Sequence, residues 1–238
     1  GAMGRRVETL LASRLGLRPA GLSMRSSYDR AADYVATLGL LAGTAQKIGQ
    51  DIVFLQRTEV GEVAESFHMG KIGSSTMAQK RNPSTALLLV SLARLLRSRV
   101  PPAMEAMVRM DEGDSSATNV TDTLLPEVAI IAVSVAETLT RLIAGLHVNA
   151  AAMQRNLELT RGLISSEAVM MQMCRTMGRH EAHHLLYDAA QKTVSEGVDF
   201  ATEIRRQASA SGLPVSADIE QALDPAGHVG ESVALARE

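Results

Sequence analysis

Residues 73–96 read GSSTMAQKRNPSTALLLVSLARLL, a polar, turn-forming run that passes at Pro83 into an almost unbroken apolar one. Gly73, Ser74 and Ser75 are small enough to let a ligand approach the backbone and use its N–H groups, and Pro83 takes the first-turn position that proline favours in a helix. Beyond it, Leu87, Leu88, Leu89, Val90, Leu92, Leu95 and Leu96 cover much of a helical circumference, which predicts burial inside a helical bundle. Loop N–H groups, the positive end of that helix and the Lys80 ammonium together predict an anion site, suited to a carboxylate or to developing negative charge.

Helical periodicity dominates on both sides of this stretch and predicts an all-α fold, an elongated helical bundle with a smaller C-terminal helical domain. From Tyr28 to about Glu65, the apolar positions Ala31, Val35, Leu38, Ala42, Ala45, Ile48, Ile52 and Leu55 recur at three and four, with Asp29 and the serines before it as caps. Pro101-Pro102 interrupts the helix that begins at Pro83, and residues 111–123 read as a polar loop. Pro126 is expected to open a third long helix through Val128, Ile131, Val135 and Leu142, ending near Gly145 or His147. Shorter helices are expected from about Ala150 and Ser165, and residues 209–230 read as compact but irregular.

The opening Gly-Ala-Met resembles a tag-cleavage scar. A bundle domain is expected over 4–160, carrying the loop at 70–83, and a C-terminal domain over 161–238. Hydrophobic residues make up 46% of the 238, enough for a sizeable core, and twelve methionines read as helix-core filler. With 24 basic and 26 acidic residues, there is no footprint for nucleic acid or an anionic membrane surface. No apolar run reaches the length of a membrane span. A single cysteine, Cys174, fits a reducing, cytoplasmic compartment and a buried thiol.

The run from Gly73 to Pro83 also resembles the signature loop of the fumarase/aspartase superfamily, Gly-Ser-Ser-x-Met-Pro-x-Lys-x-Asn-Pro, with Ala78 where that pattern has proline. Thr-Glu-Val-Gly-Glu-Val at 58–63, Asn-Leu-Glu-Leu-Thr-Arg-Gly-Leu-Ile at 156–164, Ser-Glu-Ala-Val at 166–169 and Leu-Asp-Pro at 223–225 resemble the branch that holds adenylosuccinate lyases and 3-carboxy-cis,cis-muconate cycloisomerases. The resemblance implies a homotetramer whose long helices build a shared core and whose active sites draw on three subunits. It further implies the C-terminal portion of a longer enzyme, because the segments expected to carry the first catalytic histidine find no match. The leading expectation is a 3-carboxy-cis,cis-muconate cycloisomerase-like enzyme; an adenylosuccinate lyase-like enzyme and an oligomerising helical scaffold without catalysis are the alternatives.

Elimination next to a carboxylate needs a base for a carbon-bound proton, donors for the dianionic intermediate and an acid for the leaving group. By resemblance Ser74 is the base, while Ser75, Thr76, Met77, Lys80 and Asn82 hold a small polycarboxylate, with no cofactor or metal. The acid is expected upstream, so the 238 residues alone are expected to be inactive. Two positions depart from the branch: Gly113 stands where an arginine is usual, and Ser26-Ser27 where a Thr-Gln pair is often seen. A missing guanidinium removes a bidentate contact to carboxylate or phosphate.

His180-Glu181-Ala182-His183-His184 satisfies His-Glu-x-x-His, a spacing that puts two imidazoles on one helical face as zinc ligands with Glu181 as base, yet no third ligand follows in sequence. An exposed histidine-rich helix is the simpler expectation. His68 is expected to be exposed in the approach to the loop, His147 to complement a helix end, and Glu59 and Glu62 to be solvated or ion-paired.

Overall fold

A computed structural model describes residues 1–22, 25–66, 76–77, 79–212 and 216–238. It is all-α, with a single pair of two-residue strands among the described residues. The chain forms two compact units, one of residues 1–59 with 63–148 and one of residues 60–62 with 149–238.

In the first unit, helices α1 (Gly4–Arg14), α2 (Asp29–Leu55), α3 (Ser84–Arg97), α4 (Val100–Glu105) and α5 (Ser115–Ala144) account for most residues. Strands β1 (Val63–Ala64) and β2 (His147–Val148) pair antiparallel, Val63 with Val148 and Ala64 with His147. The face of α2 that packs inward is built from small residues, Ala31, Ala32, Val35, Gly39, Ala42, Ala45, Gly49 and Ile52. Close approach explains the glycines. A Cβ on Gly49 would lie 3.0 Å from Val90 Cγ2 and 3.2 Å from the Ala86 carbonyl, and one on Gly39 only 2.6 Å from Val100 Cγ2.

Several expectations are corrected here. The first long helix ends at Leu55 rather than near Glu65, and the chain turns through Gly61, which takes φ +64°. Its start has no side-chain cap, since the Ser27 hydroxyl donates to the Asp29 carboxylate instead, holding that carboxyl below its ordinary range. Pro126 lies inside α5 and does not open it. The helix begins at Ser115, where the Asp114 carboxylate caps the Ser116 N–H at 2.8 Å. From Ser115 on the polar run is helical, and its hydroxyls are satisfied within that helix, Thr118 Oγ1 donating to the Asp114 carbonyl at 3.0 Å and buried Thr121 Oγ1 to the Thr118 carbonyl at 2.8 Å. An interior proline costs about 3 kcal/mol, offset by burial of Leu124 and Val128 on either side of it.

Helix α3 buries one face, through Ala86, Leu89, Val90, Ala93 and Leu96, and leaves Leu87, Leu88 and Leu95 roughly half exposed in the single chain. All-round burial is therefore absent at this level. The methionines also divide: Met173 is buried, whereas Met104, Met107, Met110 and Met171 are exposed. His147 sits in β2, exposed, rather than at the helix terminus.

The second unit packs α6 (Ala150–Glu158), α7 (Ser166–Met173), α8 (Arg179–Glu196), α9 (Phe200–Ala210), α10 (Ala217–Leu223) and the short α11 (Ser232–Leu235). Val169, Met173, Leu186, Phe200, Ile204 and Ile219 form its core, and Cys174 lies partly buried against it. Gly197 ends α8 at φ +72°, beside the Arg161 guanidinium. Glu203 is buried on α9 and satisfied by the Arg206 fork at 2.6 and 2.7 Å, by Gln207 at 2.9 Å and by Lys192 at 3.3 Å. Those donors, Arg206 first, hold its carboxyl at about 2 against the opposing effect of burial.

Candidate functional site

Ser74, Ser75, Ala78 and His68 lie outside the described residues. The rest of the expected set is present at the exit of the loop. Thr76, Met77, Lys80 and Asn82 are all exposed. The Lys80 N–H donates to the Met77 carbonyl at 3.1 Å, three residues before Pro83. The Ser84 N–H then donates to the Asn82 carbonyl at 2.8 Å, and Pro83 serves as N-cap residue with its carbonyl accepting from Leu87 N–H at 2.9 Å.

The N-terminus of α3 already holds a carboxylate, and it is the chain's own. Glu65 Oε1 accepts from the Ala86 N–H at 2.7 Å and Oε2 from the Thr85 N–H at 3.1 Å. The Glu65 N–H in turn donates to Gln56 Oε1 at 2.8 Å, just past the end of α2. One side chain thus joins the entry of the 67–82 segment to its exit. The expected anion site counted the positive end of this helix among its parts; the two foremost free donors there serve Glu65.

Two surface clefts lie beside this junction. One, of about 540 Å³, is lined by Arg57, Thr58, Glu59, Arg81 and Pro83. The other, of about 310 Å³, is lined by Glu65, Ser66, Ser84, Thr85 and Arg141. Arg57 stands 5.4 Å over the Phe54 ring, an aromatic support for its guanidinium. Gly145, just past α5, approaches Ser66 so closely that a Cβ there would lie 2.8 Å from Ser66 Oγ.

Two sequence motifs far apart in the chain meet in the second unit. Asn156 Nδ2 donates to Glu62 Oε1 at 2.8 Å and to the Val60 carbonyl at 2.9 Å. Asn149 adds its N–H to the Glu62 carbonyl at 2.8 Å. Glu62 is thereby hydrogen-bonded rather than merely solvated. Its partner is 94 residues on, so no local pattern could have revealed the pairing.

The two departures from the branch pattern fall at one corner of the first unit. Arg109 donates to the Arg25 carbonyl, to the Asp114 carbonyl at 2.5 Å and to Thr118 Oγ1 at 2.7 Å, and its guanidinium stands 4.4 Å over the Tyr28 ring. Arg109 therefore ties the segment next to Ser26-Ser27 to the turn that contains Gly113. Hydrogen bonds from Thr121 and then Thr118 lower the Tyr28 phenol below its ordinary value. Neither Arg109 nor Glu65 stood out in the sequence, because each acts on backbone groups that only folding brings near.

A lyase family model matches residues 4–96, and the adenylosuccinate lyase C-terminus model matches residues 162–238. N-acetyl-S-(2-succino)cysteine lyase of Enterococcus italicus is 35% identical over 230 residues, covering 97% of this chain and 50% of that protein. 3-Carboxy-cis,cis-muconate cycloisomerase of Pseudomonas aeruginosa is 32% identical, covering 95% and 49%. The crystal structure of 3-carboxy-cis,cis-muconate lactonizing enzyme from Pseudomonas putida superposes with a TM-score of 0.86 at 32% identity, over 100% of this chain and 53% of that one. The chain spans about half the length of the curated relatives it matches.

Proposed function

Because the chain belongs to the fumarase/aspartase superfamily, we propose that it serves as part of a lyase or cycloisomerase that eliminates a leaving group beside a carboxylate, or runs the reverse addition, on a small polycarboxylate. Ser74 removes the carbon-bound proton as the C–H pair moves toward the adjoining carboxylate. Loop N–H groups, Ser75 and Lys80 with Asn82 stabilise the resulting dianion, and Thr76 and Met77 line the substrate. The pair then forms the C=C bond as the bond to the leaving group breaks, and that group takes a proton from an acid supplied outside these 238 residues. No cofactor enters this scheme. The relatives named for 2-succino and carboxymuconate substrates support a substrate rich in carboxylates.

The observation that carries this reading is the Gly73–Pro83 run, which sets Ser74, Lys80 and Asn82 in the residues just before α3. A nucleotide-linked succinyl substrate is a second reading, favoured by the match of residues 162–238 to the adenylosuccinate lyase model. Gly113 in place of arginine argues for the smaller substrate. Exposed Leu87, Leu88 and Leu95 on α3, with Ile130 and Val133 on α5, support burial against further copies in a tetramer. We place the protein in the cytoplasm on the ground of its single cysteine; among the described residues no helix is long and apolar enough to cross a membrane.

The test follows formation of the conjugated product by the full-length protein from a 2-succino thioether or a carboxymuconate lactone, by ultraviolet absorbance. Ser74→Ala is expected to lower kcat about 10²- to 10⁴-fold, the usual worth of a general base. Lys80→Met is expected to weaken binding of the carboxylate substrate. Undiminished turnover by Ser74→Ala sinks the assignment, and so does activity of the 238 residues alone at the full-length rate. A folded full-length protein that neither turns over nor binds any polycarboxylate supports the scaffold role instead.

A further inference from the structure

Helix α8 carries a cluster that the proposed reaction leaves unused. His180 and His184 stand one helical turn apart and both are exposed, so their imidazoles share a face of the helix. The ring centroids are 4.6 Å apart with the planes at 88°. Because both rings project into solvent, rotation about their side-chain bonds is free to turn a nitrogen of each toward one point. The helix beneath is held by buried Ala182, Leu186 and Ala189, which presents the pair on a rigid element. His183 is stacked on Tyr187 at 6.4 Å and 15°, and its ring stands edge-on to that of His184 at 6.4 Å and 85°.

Among the described residues, no group of three or more His, Cys, Asp or Glu side chains is placed to hold a metal ion.

We propose that His180 and His184 form a two-histidine chelate on α8 for one divalent late first-row transition ion, zinc, nickel or copper, with water completing the shell. Neutral imidazole is a ligand these ions favour, and copper is expected to bind more tightly than nickel or zinc. Magnesium, which takes oxygen ligands, is expected not to bind there.

The test titrates the untagged chain with zinc, nickel and copper salts by calorimetry, with magnesium as control, alongside His180→Gln, His184→Gln and His183→Gln. One ion per chain is expected. Loss of a partner one shell further out already costs about 10- to 100-fold in affinity, so either His180→Gln or His184→Gln is expected to weaken binding at least about tenfold. His183→Gln is expected to leave it unchanged. In the unsubstituted protein, copper is expected to broaden the imidazole NMR signals of His180 and His184 first, a readout that does not depend on any variant folding. Absence of binding by all three ions overturns the site, as does binding that survives His184→Gln or broadening centred on another histidine.

Discussion

Glu65 Oε1 lies 2.7 Å from the backbone nitrogen of Ala86, and this contact closes the base of the segment that carries the signature loop. A carboxylate reaching back over 21 residues does the capping that Ser84 or Asn82 might have done locally. Glu65→Ala leaves two first-turn N–H groups of α3 without their acceptor, and loss of a helix cap costs about 0.5–2 kcal/mol. Urea unfolding is expected to show that loss, with Glu65→Gln retaining part of the stability through its remaining carbonyl oxygen. Equal midpoints for parent and Glu65→Ala would show that the contact does not form in solution.

Gly145 tests the approach to the same loop from the other side. A Cβ there meets Ser66 Oγ at 2.8 Å and Ser66 Cβ at 3.0 Å, closer than side-chain carbons pack. Overpacking of this kind costs about 1–3 kcal/mol, so Gly145→Ala is expected to destabilise by that order. Trimming the neighbour in a Gly145→Ala/Ser66→Gly double variant is expected to recover part of it, and a double-mutant cycle in chemical denaturation reads the coupling. Strict additivity of the two substitutions refutes the contact.

Phe200 anchors the second unit, with no accessible surface in a core shared with Val169, Met173 and Ile204. Truncating a buried phenylalanine to alanine costs about 3–5 kcal/mol. Phe200→Ala is expected to lower the thermal midpoint markedly, whereas Phe54→Ala, at a side chain 53% exposed, is expected to shift it little. Similar losses at the two positions would contradict the placement.

Glu203 sets an acid limit on the second unit. Its carboxyl is lowered from the ordinary 4.5 to about 2, first by the Arg206 hydrogen bonds and then by Gln207. A carboxyl depressed in the fold stabilises it while ionised, so the contribution is complete above the ordinary value and is lost as pH falls toward the folded one. Stability measured against pH is expected to drop more steeply between about 4.5 and about 2 in the parent than in Glu203→Gln, which has no carboxyl to protonate in that window. Parallel curves would show that Glu203 titrates normally.

Much of this molecule is legible in its residues alone. Periodicity at three and four marks α2, α3 and the greater part of α5, because a helix is closed by bonds between near neighbours and its buried face repeats with its own pitch. The loop from Gly73 to Pro83 and its kinship are equally local, a string of residue types in order. What is not legible there is of two kinds: the start of α5, a local cap that the proline obscures, and contacts whose partners are distant in the chain. Asp114 caps α5 at its start, Ser115, eleven residues before the proline that reads as its beginning, and burial of Leu124 and Val128 keeps that proline within the helix. Glu65 fills the end of α3, and Arg109 joins residues 25 and 114, only because the packed helices bring those groups together. Side-chain carboxylates and guanidinium groups satisfy whichever backbone donors and acceptors folding leaves nearby, and that choice is made by tertiary geometry rather than by spacing.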